Sequence, residues 1–411
     1  MFLRLPLIKR YLHGFGFLGA MNTVVILIQV ISLPIVVRVL SKPDYGAFRF
    51  IITLQLYVTL FSGNYITGAA KRSVARGRPA TILYAFLIRM PLLIIAAAAV
   101  LVAGSLFSVP ASLSRVMAVY LIVGFPVEQS VLEYLVGLDR IGQVSVLKGT
   151  MSVLSTAVAI AVVVKTRDVF LYSVFFFGTS SAVAWVVGLV LMKRHHLVHK
   201  LKLGQYDRSC LGFGLKMIPV DLMIQTLRNA SVLFVGGYFG MADLAVFSSA
   251  KQVKTMAARF IRSVRPLLYA DIASRSREEV RTWLKFNFVW IMLISLGLGL
   301  FLSGLGIAYL RLFMPDDYGA SVKYFLILSA AFPAGFATRV MITFLDANLM
   351  FRELALGAFV PNTFRLLFVI ILGLWIGIPG ICVGSAIGSW LNFAWFAYLV
   401  FGRTRDGRLS E

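Results

Sequence analysis

Apolar runs of about 20 residues recur from one end of this 411-residue chain to the other. That is the length a helix needs to cross the ~30 Å hydrocarbon core of a bilayer. Backbone N–H and C=O groups find no water there, so only helices and closed barrels can span it. Barrel strands alternate apolar and polar residues over about ten positions, and these runs do not alternate. The chain therefore reads as an all-α polytopic membrane protein. Mean hydropathy of +0.87 and only 14% charged residues leave little for a separate soluble domain.

Spans are expected at roughly 15–40, 46–70, 82–107, 112–137, 147–164, 168–192, 211–239, 243–270, 286–310, 321–346, 355–375 and 379–402, about twelve transmembrane helices. Arg4, Lys9 and Arg10 precede the first run as in a signal peptide. That run is too long for a signal core and is followed by another span, so an uncleaved first helix is expected. A hydrophilic linker at about 193–210 divides the spans six and six. The expected organisation is an N-terminal six-helix lobe with the basic central loop (1–205) and a C-terminal six-helix lobe (206–411).

Twelve spans place both termini on one side. Of the 40 Lys and Arg residues, 26 fall in loops and span ends on the side of the termini, seven on the opposite side and seven inside spans. The positive-inside rule then makes both termini cytoplasmic. The same count assigns most of the +23 net charge to topology and contact with anionic membrane lipids. Nucleic acid is not needed as a partner.

The halves echo each other. Asp44 and Phe48, after span 1, match Asp243 and Phe247, after span 7. Gly137-Leu138-Asp139 matches Phe344-Leu345-Asp346 after spans 4 and 10. With six helices per repeat, duplicated halves run parallel.

The seven basic residues expected inside spans are Arg49, Arg89, Arg228, Lys251, Lys254, Arg339 and Arg365. A cation at membrane depth is costly and points to a site for an anion. Arg228 is too deep to snorkel and either lines a cavity or pairs with a neighbouring helix. Lys251, Lys254, Thr255, Arg262 and Arg265 share a face of span 8. They form either a cavity wall or the polar face of a helix lying flat on the membrane. Arg49, one turn inside span 2, faces a cavity or snorkels outward, and Arg365 faces a cavity or ties helices together. Arg89 and Arg339, about two turns from the cytoplasmic ends, are expected to snorkel. Glu128 and Asp221 are the best intramembrane carboxylates for coupling to H+ or Na+, with a charge pair to a nearby Arg as the alternative; Glu133 is weaker.

Three stretches carry a family resemblance: Leu33-Pro34 with Arg38-Val39-Leu40-Ser41-Lys42-Pro43-Asp44-Tyr45-Gly46-Ala47-Phe48, Leu312-Phe313-Met314-Pro315-Asp316-Asp317-Tyr318, and Gly377-Ile378-Pro379-Gly380-Ile381 with Gly384-Ser385-Ala386-Ile387-Gly388. They resemble the bacterial polysaccharide flippases of the multidrug/oligosaccharidyl-lipid/polysaccharide exporter (MOP) superfamily. The resemblance implies a MATE-like fold of two six-helix lobes facing in a V. It further implies alternating access in the inner membrane. The cargo would be an undecaprenyl-pyrophosphate-linked oligosaccharide such as an O-antigen, capsule or exopolysaccharide repeat, exported to the periplasmic leaflet. A polysaccharide polymerase is then a candidate partner.

Pyrophosphate suits a cationic cavity, because Arg grips phosphate oxygens bidentately. The substrate-binding candidates are Arg228, Lys251, Lys254, Arg49 and Arg365. Asn64, Tyr65, Gln225 and Asn229 are candidates for the sugar. His195, His196 and His199 stand among cations, which disfavours a metal. Cys210 and Cys382 read as packing residues. No P-loop or Gly-x-Ser-x-Gly elbow is present, so no cofactor or catalytic residue is expected. A cation-coupled drug antiporter of the same superfamily is the alternative. A membrane-embedded glycosyltransferase or ligase fits less well, since the loops are short.

Overall fold

The computed structural model describes residues 5–61, 64–197, 229–263, 272, 277–347 and 350–402. Among these residues the chain is helical, without strands. Seven helices are long and apolar enough to cross a membrane, or eight if one bent pair counts as a single span. The protein is a polytopic all-α membrane protein.

The helices follow the expected spans. α1 (Leu5–Val39) leads to α2 (Lys42–Phe61) and α3 (Asn64–Ala75). The turn before α2 shows what its sequence motif does locally. Ser41 Oγ accepts from the Asp44 N–H at 3.3 Å and donates to the Asp44 carboxylate at 2.6 Å. This reciprocal cap satisfies a donor left over at the helix start, and Asp44 sits favourably in the first turn. The second expected span, 46–70, is not one helix. α2 ends at Phe61 and α3 restarts at Asn64.

α4 (Thr81–Leu106), α5 (Ala111–Gly137), α6 (Ile141–Thr166) and α7 (Val169–Arg194) complete the first half. Asp168 caps α7 by accepting from the Phe170 N–H at 2.7 Å. α5 contains one π-helical turn, Tyr120–Gly124.

The second half holds α8 (Asn229–Phe239), α9 (Met241–Ser263), α10 (Arg277–Phe286), α11 (Phe288–Phe313), α12 (Gly319–Ser329), α13 (Phe332–Ala347), α14 (Phe351–Ile376) and α15 (Ile378–Phe401). The tenth expected span is bent. α12 and α13 meet at 43°. α2 and α9 begin 199 residues apart with an aspartate in each first turn, as the sequence echo predicts.

The chain forms two compact units. One is Met1–Thr226 with Phe239–Ala245, and the other is Leu227–Tyr238 with Val246–Glu411. In the first, Ile66, Val74, Ile82, Val131, Leu135, Leu147 and Leu191 form the core where α3 to α7 meet. In the second, Val280, Leu284, Met341, Phe344, Leu345, Phe396 and Leu399 do so.

α14 and α15 run closely together. Gly377, at φ +77°, turns the chain between them, a conformation that glycine adopts without strain. A Cβ on Gly380 would stand 1.9 Å from the Leu372 carbonyl oxygen, and one on Gly384 2.7 Å from Phe368. Small residues let two membrane helices approach this far.

Candidate functional site

The second unit brings three of the expected cations together. Lys251 and Lys254 lie one turn apart on α9, half-buried. Lys254 is within electrostatic reach of Arg365 on α14 and of the Cys382 thiol on α15. Among the described residues, no carboxylate pairs with Lys254. Gly388 opens the space for the Arg365 stem, since a Cβ there would meet Arg365 Cγ at 2.3 Å. Lys251 Nζ donates to Ser231 Oγ on α8 at 3.2 Å. Asn229 starts the same helix, half-buried, and Asn362 stands one turn before Arg365, also half-buried. Like charges this close repel, and an anion between them removes the penalty.

α9 is not a helix lying flat on a membrane. Leu244 to Ala250 are buried all round, and Val253 and Met256 are buried beyond them. A surface helix keeps one face in water along its length. Arg262 belongs to α9 by its backbone, while Arg265 lies outside the described residues.

Arg49 belongs to α2 in the first unit. It is half-buried, and its Nε is buried without a hydrogen-bond partner. The buried Tyr172 of α7 is within its electrostatic reach. Ser248, its counterpart 199 residues on, has a buried Oγ that also lacks a partner. Buried polar atoms normally find one, in protein, water or ligand.

Arg89 corrects the sequence reading. It does not snorkel. It is 0% exposed, its Nη1 donates to Thr67 Oγ1 on α3, and its guanidinium stands 5.8 Å from the Phe125 ring centroid on α5. The arginine is a tie among three helices, because a buried cation is tolerated where hydrogen bonds and an aromatic face receive it. Arg339 on α13 is half-buried.

Glu128 on α5 is buried at 7% exposure. Among the described residues, no arginine forms a salt bridge with it. Its neighbours are hydroxyls. Tyr120 donates to Oε2 at 2.9 Å, Ser180 donates to Oε1 at 2.8 Å, and Ser181 Oγ lies 3.5 Å from Oε1. Ser181 already gives its one proton to the Phe177 carbonyl at 2.8 Å. Its lone pairs therefore face Glu128 and can accept from a protonated carboxyl. Glu133 pairs with Lys71 at 3.4 Å, which accounts for it structurally.

Asp221, Gln225, Arg228, Cys210 and His199 lie outside the described residues, as do the side chains of Asn64 and Tyr65. The His195 ring stands edge-on to Tyr134 at 5.6 Å, a packing contact. Ser231 and Cys382 were not singled out as site residues. Ser231 gives no sequence signal, while Cys382 falls inside the Gly377–Gly388 motif.

Solved structures share the fold. Over 93% of this chain and 87% of that one, the lipid II flippase MurJ in an inward closed conformation superposes with TM-score 0.68 at 12% identity. An inward-facing multidrug resistance MATE family transporter gives 0.67 at 14% identity over 92% and 94%. A MOP superfamily transporter from Pyrococcus furiosus, described as having a binding pocket of reversed polarity, gives 0.64 at 14% identity over 94% and 95%. No curated protein matches the chain by sequence. The sequence profile described as "polysaccharide biosynthesis protein" matches residues 11–265, more than half of the chain. The chain thus belongs to the polysaccharide biosynthesis protein family, on the membrane-transporter fold of the MOP superfamily.

Proposed function

We propose that this protein is a flippase. It carries an undecaprenyl-pyrophosphate-linked oligosaccharide from the cytoplasmic to the periplasmic leaflet of a bacterial inner membrane, with both termini cytoplasmic. The observation that carries the reading is the cluster of Lys251, Lys254 and Arg365 on two helices of the second unit. A diphosphate concentrates negative charge and accepts several charge-assisted hydrogen bonds. A drug cation would be repelled by the same cluster, which disfavours the multidrug antiporter alternative. The family's link to polysaccharide biosynthesis and the fold shared with a lipid II flippase support the same cargo class.

Glu128 is the coupling candidate among the described residues. It is a buried carboxyl with hydroxyl neighbours and, among the described residues, no paired cation, the kind of oxygen-lined acid that exchanges a proton or a monovalent cation. Lys254→Ala and Arg365→Ala test the cargo site. Each is expected to slow delivery of lipid-linked sugar to the periplasmic leaflet roughly tenfold or more, the worth of one charge-assisted hydrogen bond. A correctly inserted double variant that delivers sugar at the normal rate overturns the reading.

A further inference from the structure

Among the described residues, two transmembrane elements carry a midway interruption with a shared Phe-Pro sequence and a shared kind of outside partner. In α5 the interruption is the π-helical turn Tyr120–Gly124, where the Phe125 N–H reaches back to the Tyr120 carbonyl. In the second half it is the 43° bend between α12 and α13. The residues are Val123-Gly124-Phe125-Pro126 in one and Ala330-Ala331-Phe332-Pro333 in the other. A proline inside a helix removes one N–H donor and presses on the carbonyl four residues earlier.

Three residues before each proline stands a carbonyl that a tryptophan from another helix receives. Trp185 Nε1 on α7 donates to the Val123 oxygen at 3.1 Å. Trp390 Nε1 on α15 donates to the Ala330 oxygen at 3.0 Å. The two carbonyls are 207 residues apart and the two tryptophans 205. Gly137 and Phe344, near the ends of the matching helices, are also 207 apart. Even the nearby rings agree. Tyr120 and Phe125 meet edge to face at 6.2 Å and 66°, and Phe325 and Phe332 at 6.2 Å and 63°. One device therefore occurs twice, at the offset of the internal repeat.

A carbonyl released inside hydrocarbon needs a donor. The indole N–H supplies it in the present form, and a regular α-helix would take the carbonyl back. That is a two-state element, and π-helical turns recur at such functional places. The second site also has room to rearrange. Trp390 and Ala330 line an apolar cavity of about 670 Å³ with Ile327, Val383 and Ile387.

We propose that α5 and the α12–α13 pair are the hinges of the two units, and that the indole N–H of Trp185 or Trp390 is the latch that holds each hinge in its present form. The latches differ in strength. Beside the first, Glu128 also takes hydrogen bonds from Tyr120 and from Ser180 of α7. The position 207 residues on is Gly335, which has no side chain to offer. The second hinge is therefore the looser one. The hinges require only that each unit bends internally, whatever the cargo.

Spin-label pairs on the full chain in lipid nanodiscs test this. One pair, at Arg115 and Val136, flanks the first hinge; the other, at Lys323 and Ile342, flanks the second. Cys210 and Cys382 are replaced by Ala in the background. Trp185→Phe and Trp390→Phe keep an aromatic ring and remove the N–H. The expected result is local. Trp185→Phe adds a second distance population to the first pair only, and Trp390→Phe does so for the second pair, more strongly. Each population ratio is expected to move about fivefold, the weight of one hydrogen bond. Unchanged distributions in both variants, in protein that elutes and melts like the parent, overturn the latch. Equal changes in both pairs from either substitution overturn it too, since that is global loosening. Delivery of lipid-linked sugar is measured separately on the unsubstituted chain: if distances respond as expected but that chain delivers none, the hinges stand and the flippase reading is lost.

Discussion

Ser180 Oγ donates to Glu128 Oε1 at 2.8 Å, joining α7 to α5. The bond holds a carboxyl in the interior of the first unit, with no cation paired to it among the described residues. Glu128→Gln retains acceptor and size, so the fold is expected to survive while ion-coupled transport is lost. Glu128→Ala leaves the Tyr120 and Ser180 hydroxyls without this acceptor and is expected to cost about 1–3 kcal/mol of stability as well. Thermal unfolding in detergent, alongside a transport assay with an imposed ion gradient, separates the two variants. Full transport by Glu128→Gln would remove Glu128 from coupling.

Arg89 gives a contrasting prediction. Its side chain is sealed among α3, α4 and α5, so it has no route to cargo. Arg89→Ala is expected to lower stability by about 3 kcal/mol or more, through the emptied space and the abandoned Thr67. Transport per correctly folded molecule should remain normal. A stable Arg89→Ala protein with impaired transport would return Arg89 to the cargo path.

Gly388 tests the cationic cluster from behind. A methyl group there must displace the Arg365 stem, which it would meet at 2.3 Å. Gly388→Ala is expected to reproduce the transport defect of Arg365→Ala without removing a charge. Gly297→Ala, where a Cβ meets nothing within 4 Å, serves as the control. Equal transport by the two glycine variants would dissociate Arg365 from function.

Inorganic pyrophosphate offers a direct binding probe. At a concentration of about 100 times its dissociation constant it is expected to stabilise the protein by ~2.7 kcal/mol. Lys254→Ala should abolish most of that shift in a melting experiment. An identical shift in the variant would move the anion site elsewhere.

Much of the fold was legible in the sequence, because apolar length is a direct reading of bilayer thickness. α4, α6, α7, α11, α14 and α15 each follow an uninterrupted apolar run. The interruptions were not legible in the same way. Nothing in the hydropathy of 46–70 marks the restart at Asn64, and Phe-Pro in spans 4 and 10 is compatible with an uninterrupted membrane helix. Bends depend on where a released carbonyl finds a donor, and Trp185 and Trp390 are 62 and 60 residues away in sequence. The site divides along the same line. Spacing on one helix put Lys251 beside Lys254. It could not bring Arg365 to them from α14, nor tell Arg89, sealed and bonded, from a cation reaching for the lipid head groups. Depth along a helix is written in the sequence, but the direction a side chain takes around it is set by neighbours that fold up later.

The glycine seam between α14 and α15 has a consequence for how this protein can vary. At Gly380 and Gly384 any side chain would strike the facing backbone, whereas Trp375 and Tyr398, on the outward flanks of the same pair, are largely exposed. Substitutions found among natural variants should therefore gather on the outer rim and spare the joint. The joined pair would behave as a single plank whose outer grain is free to change and whose glue line is not.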